Sequence, residues 1–476
     1  RHEVYLQLAL AALQLGDTTE AIATLARADS LLDRFRATLT VGALRSVSGG
    51  RVASWGGPPD EGDRVLAALV TTRHRAAVFE ATERTRARAL TNAVVGASDD
   101  STMLAATRTV PRTLAAVQAR LPRTTALLVY GGGAGGAATT LLVVTRGATR
   151  GVALAPLREL EPLVERWNAL LEAGDGGLGA GRALAAAILA PALAGLPSSV
   201  TRLVVVPQGA LHRVPFAALP VGRALLGDRA TTTMAPSVTL ALRALEAPPA
   251  GAARVLAIGA GDAAQPDAAP GTIAPQRGGA ALAALPAADD EARLAAAWAP
   301  GSRALVGAAA TEGALKATRG DDWTVLHAAA HALASDQALG ASWLILRPDS
   351  SDDGYVSGGE LAGLARGRAL VVLSGCRTTG DFGSRGDAID GLVAPLLAAG
   401  VRTVVASHWA VSDRATRDLM ARFYDALGEG ATVADALATA QRAMRRAGAS
   451  PRAWAAFTVI GDGSLRFAPA GPRGDR

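Results

Sequence analysis

The sequence predicts an α/β fold: a mostly parallel sheet covered by helices, preceded by an all-α, repeat-type N-terminal region. Three observations carry this expectation. From residue 286 onward short apolar runs alternate with helical patterns, and strands that alternate with helices build a parallel sheet covered on both faces. Residues 1–36 and 64–95 show helical periodicity. Two apolar runs, Trp323–His331 and Ala369–Thr378, carry reactive side chains, His331 and Cys376, at the ends where an open parallel sheet presents its ligand crevice.

Taken in order, residues 1–36 read as a helical hairpin. Leu6, Leu10 and Leu13 form one stripe, Gly16-Asp17 breaks it, and Ile22, Leu25, Ala26 and Ala28 form the next. The small residues Ala9, Gly16, Ala21 and Ala28 resemble a tetratricopeptide repeat unit. One such unit cannot bury its own face, so on that reading further repeats are expected before Arg1, where the chain starts without Met; a plain helical hairpin is the equal alternative. Residues 64–95 read as one longer helix, with Leu66, Leu69, Val70, Ala77, Phe79 and Leu90 inward and Glu80, Glu83, Arg84, Arg86 and Arg88 on a solvated face. Residues 97–110 read as a linker.

The period then changes. Thr125–Tyr130 and Thr139–Thr145 are strand-like and joined by the glycine run 131–136. That run lacks the Gly-Lys-Ser/Thr ending of a phosphate loop and leads into a strand, so it reads as a hairpin loop. Residues 181–194 are helical, and Thr201–Val206 is a buried strand closed by Pro207-Gln208-Gly209. Residues 246–285, rich in Ala, Gly and Pro, hold one strand, Arg254–Ile258. There follow a helix, strands at 323–327 and 343–346, and a helix opening at Ser357-Gly358-Gly359-Glu360. A strand at 369–373, a helix at 389–399, a strand at 401–406, helices at 413–427 and 432–447 and a final strand at 454–460 complete the chain. The expected domains are 1–96, 110–245 and 250–468.

Composition narrows the function classes. The net charge is +6, but the basic residues are scattered and no basic run is interleaved with aromatics, so no direct nucleic-acid binding is expected. Lys316 is the only lysine, a bias expected of a GC-rich genome. No apolar run reaches about 18 residues, so no membrane segment is expected. A single cysteine excludes an internal disulfide framework and a cysteine-based zinc site.

Two readings of Cys376 stand: a small apolar core residue, or a nucleophile that ends a strand and precedes the polar segment Arg377-Thr378-Thr379. His331 stands where its strand gives way to loop, which suits an acid/base group in contact with substrate and solvent. His327, four residues earlier, would share a face with His331. As a metal pair the two lack the intervening Glu and a third ligand, and a buried supporting role for His327 is the plainer reading. His212 reads as structural, near Pro215-Phe216. His408 reads as lining the same sheet edge as Cys376. Asp413 reads either as a helix cap or as a carboxylate for a basic substrate side chain.

Several segments match a known family. Leu326–His331, Leu373–Thr378, Gly400–Asp413 and Trp454-Ala455-Ala456-Phe457 resemble the CHAT proteases, as do Val205–Phe216 and Ala235-Pro236-Ser237. These are caspase-like domains that accompany tetratricopeptide repeats and are related to caspases and separase. The resemblance covers about residues 110–465. It implies a caspase-like sheet in two halves, an inactive companion at 110–245 and a catalytic half at 250–468. It implies a cysteine endopeptidase with His331 and Cys376 as catalytic pair, and the interval between them is close to the roughly 50 residues found in caspases. The backbone amides of Ala332 and Cys376 would form the oxyanion hole, although caspases carry glycine where this chain has Ala332. Asp413 resembles a separase position that recognises a basic residue. The resemblance further implies a protein substrate, no cofactor or metal, a regulator docked on the helical repeats and a cytoplasmic setting. The competing classes are a catalytically inactive caspase-like scaffold and, through His327 and His331, a metallohydrolase.

Overall fold

The computed structural model describes residues 2–38, 60–97, 111–246, 250–262, 284–334, 342–375 and 391–468. They form two compact units, one chiefly of residues 1–169 and 177–242, the other chiefly of 243–383 and 389–476.

The first unit opens with the expected hairpin, α1 (His2–Gln14) and α2 (Thr18–Ala37). Asp17 caps α2, its carboxylate accepting from the Thr19 and Glu20 amides, so the Gly16-Asp17 break works as a turn plus N-cap. The single helix expected over 64–95 is two: α3 (Asp60–Leu69) and α4 (Arg75–Ala97). Between them the Thr72 hydroxyl donates to the Leu69 carbonyl and accepts from the His74 amide, local bonds that compete with the helical ladder. A short helix, α5 (Leu114–Arg120), precedes the sheet.

That sheet has the order β3-β2-β1-β4-β5, formed by β1 (Thr125–Gly132), β2 (Thr139–Val144), β3 (Thr149–Leu154), β4 (Arg202–Val206) and β5 (Thr231–Met234). β1, β4 and β5 run parallel; β2 and β3 are antiparallel. The glycine run joins β1 to β2 as a hairpin, as expected. β3 and β5 went unread in the sequence because Thr-Arg-Gly and Thr-Thr-Thr are not apolar runs. The helical run expected at 181–194 begins earlier, at Leu178, and loosens to a π turn at Ala185–Leu189 just ahead of Pro191, whose nitrogen has no hydrogen to donate. Leu6, Leu25, Val65, Phe79, Leu127 and Val206 belong to one buried core, so the N-terminal helices and this sheet share apolar packing. The approach is close at Gly151, where a Cβ would lie 1.8 Å from the Val70 carbonyl oxygen.

The charged face assigned to residues 80–88 is not solvated. Glu83 and Arg86 are only 1% and 6% exposed. The Glu83 carboxylate accepts from the Val238 and Thr239 amides at 3.0 and 2.9 Å, at the start of α6 (Val238–Glu246). It satisfies donors that the first turn of a helix leaves open. The Arg86 guanidinium donates to the carbonyls of Pro207 (2.8 Å), Val206 (3.1 Å), Pro236 (3.2 Å) and Tyr130, at the carboxyl ends of β1, β4 and β5. Arg84 and Arg88 pair with Asp29 of α2. A charged residue can sit inside when its hydrogen bonds are satisfied there, and periodicity alone does not reveal that.

The second unit holds a sheet of order β14-β13-β12-β8-β6-β7. Its strands are β6 (Val255–Gly259), β7 (Arg303–Val306), β8 (Val325–Ala329), β12 (Leu370–Leu373), β13 (Thr403–Ser407) and β14 (Phe457–Gly461). All pairs are parallel except β13 with β14. A separate three-stranded antiparallel sheet contains β9 (His331–Ala334), β10 (Ser342–Ile345) and β11 (Tyr355–Ser357). Helices α7 (Ala288–Ala297), α8 (Gly358–Leu364), α9 (Val393–Ala398), α10 (Asp413–Gly428) and α11 (Val433–Arg446) complete the unit. The helix expected to open at Ser357 does so with a capping box: the Ser357 hydroxyl accepts from the Glu360 amide and the Glu360 carboxylate from the Ser357 amide. No described helix is long and apolar enough to cross a membrane.

Candidate active site

β8 and β12 are parallel neighbours, with Val325 opposite Leu370 and Ala328 opposite Leu373. The Ser374 amide extends the ladder to the Ala328 carbonyl at 2.8 Å. The described chain reaches Gly375, whose carbonyl accepts from the Ser407 hydroxyl at the end of β13. Cys376 lies outside the described residues.

His331 does not end β8. The chain leaves the large sheet at Ala330, and His331 begins β9, opposite Ile345 of β10; Ala332 stands next, opposite Leu344. His327 and His331 therefore belong to different sheets and share no strand face, which corrects the expectation. His331 is buried.

His327 has both ring nitrogens engaged, Nδ1 with the Tyr424 hydroxyl at 3.0 Å and Nε2 with Glu291 Oε1 at 3.0 Å. All three residues are buried. This fits the supporting role read from the sequence, and it brings in two residues the sequence reading missed. Glu291 rides on α7, and α7 comes close because β6 ends in Gly259, where a Cβ would lie 2.6 Å from the Ala288 carbonyl oxygen. The capping-type acids Asp289, Asp290 and Glu291 look alike in sequence, so nothing there singles out Glu291.

A small cleft opens at the carboxyl end of β8 and β12. Ala329, Ser374, Gly375, Glu291, Asp413 and Thr416 are among its lining residues. Asp413 is not the cap of α10: Ser412 takes that place, its hydroxyl accepting from the Ala415 amide. The Asp413 carboxylate instead accepts from the Ala287 amide, at the entry to α7. Burial and the charge of Glu291 push the Asp413 carboxyl up, while the Ala287 amide and His331 oppose them. The cleft thus gathers two acidic groups and, at Ser374, a buried hydroxyl without a hydrogen-bond partner among the described residues.

His408 follows β13, where its amide donates to the Ala456 carbonyl at 2.8 Å. Both ring nitrogens are shielded from water and lack partners among the described residues. Burial pushes its pKa down to about 4 from an ordinary 6.5. As pH falls through that window the unfolded chain takes up a proton that the folded chain refuses, so stability is lost with acid, by up to about 3 kcal/mol. His408→Leu is expected to flatten the fall in Tm between pH 7.5 and 4.5; parallel pH profiles for the two proteins would refute this. His212, in the first unit, is buried in the turn Gly209–Arg213.

A CHAT domain family model matches residues 178–462, more than half of the chain. No curated protein matches it. Among solved structures, separase of Saccharomyces cerevisiae in its complex with securin is similar at TM-score 0.53 and 11% identity, over 96% of this chain and 38% of that one. Gingipain R, an Arg-specific cysteine proteinase, is similar at TM-score 0.37 and 12% identity, over 56% of this chain and 64% of that one. The chain spans well under half the separase it matches, and at 11% identity that likeness concerns the fold alone. The expected fold class holds, with a mostly parallel sheet, covering helices and an all-helical N-terminal region, and the family model takes in more than half of the sequence: the chain belongs to the CHAT domain family.

Proposed function

We propose that this protein is a cysteine endopeptidase in which Cys376 is the nucleophile and His331 the acid and base. The observation that carries the reading is the pairing of β8 with β12, since the segments leaving both strands begin at one sheet edge, beside an acidic cleft. In the proposed reaction the Cys376 thiolate attacks the scissile carbonyl carbon. His331 gives a proton to the leaving amine, then takes one from the water that hydrolyses the thioester. The backbone amides of Ala332 and Cys376 would hold the oxyanion. Asp413, on the cleft, would receive a basic side chain of a protein substrate. Both ring nitrogens of His327 are occupied by protein groups, which speaks against the metallohydrolase reading. The helical N-terminal region would dock a regulator, as separase is held by securin in the structure above.

Because Cys376 is the only cysteine, iodoacetamide labelling reads it alone. Fast labelling well below pH 8 that slows at least tenfold in His331→Ala is the expected result. Slow labelling indifferent to His331 would leave the inactive scaffold as the better reading.

A further inference from the structure

We propose that Lys316 is a positioning residue for His331: its ammonium fixes β11, the far edge of the small sheet, and through β10 the strand that begins with His331. The proposal deepens the reading above, on which its consequence for Cys376 rests.

The small sheet needs an anchor. β9 and β10 have four residues each and β11 three, and strands that short hold little position by their own pairing. Lys316, the only lysine of the chain, ends the short helix Glu312–Lys316. Its Nζ lies 2.7 Å from Glu312, 2.7 Å from Asp352 and 3.0 Å from Glu360. Asp352 precedes β11 and Glu360 follows it, in the first turn of α8, so one ammonium ties both ends of the strand. The other oxygen of Glu360 accepts from the Ser357 amide and hydroxyl, at the end of β11 itself.

Glu312 carries the tie inward. It is 2% exposed. Its Oε1 meets Lys316, and its Oε2 accepts from the Gly354 amide at 2.7 Å. Gly354 has a φ of +86°, and a Cβ there would lie 2.6 Å from the Leu346 carbonyl oxygen, so the close approach requires glycine. The next residue, Tyr355, stands opposite Ile345, and Ile345 stands opposite His331. Ammonium, buried carboxylate, Gly354 amide and the row Tyr355, Ile345, His331 form one continuous line. The short helix is itself laid along the continuation of β10: the Arg347 amide donates to the Ala310 carbonyl at 3.0 Å and the Glu312 amide to the Arg347 carbonyl at 3.2 Å. Burial disfavours the ammonium, but its bonds to Asp352, Glu312 and Glu360 outweigh that and hold the charge well above the usual lysine range. Without a cation the three carboxylates would repel one another and part the ends of β11.

Selective carbon-13 labelling of the six histidines gives ring signals, and the one lost in His331→Ala reports the place of His331. Lys316→Met is expected to displace or split that signal. It should also slow iodoacetamide labelling of Cys376 at least fivefold below neutral pH and move the pH midpoint of labelling up by about one unit, because the imidazolium no longer lies beside the thiol. Lys316→Arg keeps a cation with donors and should return both readouts to within twofold of wild type. Asp352→Asn, a milder change at the rim of the cluster, should move both readouts in the same direction as Lys316→Met by a smaller step, so the test survives if Lys316→Met fails to fold. Variants that lose Tm yet keep the wild-type His331 signal and labelling profile would make Lys316 a stability element alone and overturn the proposal. A displaced His331 signal in a protein whose labelling never depended on His331 would keep the positioning and remove the peptidase reading.

Discussion

Replacing Arg86 with methionine is expected to destabilise the first unit by about 4 kcal/mol. The guanidinium serves four carbonyls, those of Tyr130, Val206, Pro207 and Pro236, at the carboxyl ends of three parallel strands. Methionine fills much of the same volume but donates nothing. Each buried acceptor left open costs about 1–3 kcal/mol, and water entering the vacated space recovers only part of the sum. Arg86→Lys should be intermediate, since three donors on one point cannot serve all four oxygens. Hydrogen exchange read by mass spectrometry over β4 measures this directly. Exchange in that peptide should rise by two to three orders of magnitude in Arg86→Met and less in Arg86→Lys. Unchanged protection in both would show that the carbonyls find other partners at little cost.

The same geometry occupies the sheet edge of the first unit. In an open parallel sheet the carboxyl edge is where ligands bind. Here that edge of β1, β4 and β5 is filled from within by a side chain of α4, and Glu83 on the same helix bonds the start of α6. The corresponding edge of the second unit carries the acidic cleft instead.

The second large effect is expected at His327. His327→Leu removes the partner of Glu291, which is 1% exposed, and strands its charge in the interior. Breaking a buried pair from one side costs about 3–5 kcal/mol, far more than an exposed pair would. Adding Glu291→Met should recover most of that loss, because the charge and its need for a partner disappear together. Urea unfolding of the single and double variants tests the coupling. A double variant as unstable as His327→Leu alone would mean that His327 matters through packing and not through Glu291. Tyr424 provides a check within the same cluster, since losing its hydroxyl leaves the contact between His327 and Glu291 intact and should cost about 1 kcal/mol.

Much of the architecture was legible in the sequence, for reasons that can be located. The runs 323–327, 369–373 and 401–406 are apolar throughout because a parallel strand covered on both faces has no polar side to show, and they stand as β8, β12 and β13 within two residues. Helices α10 and α11 were read from the sequence at 413–427 and 432–447 and stand within a residue of those bounds. Several of the motifs that mark the family begin on β8, β12 and β13, so the family was legible with them.

Other features were decided only when the chain packed. The break between α3 and α4 depends on Thr72 and His74 bonding locally, against an apolar stripe that would continue straight through. Glu83 and Arg86 read as solvated charges because composition records the presence of a charge and not whether partners surround it. His331 begins a strand of the small sheet, although the run Val325–His331 looks like one strand, because the turn at Ala330 is set by pairing with Ser342–Ile345. Asp413 offered two local roles, and the choice fell to the Ala287 amide, 126 residues away along the chain. The local sequence of this protein determined which segments are strands and helices, since that depends on neighbours a few residues apart. The placing of Glu291, Ser374 and Asp413 around one cleft depends on contacts between segments remote in sequence, which only the folded chain brings together.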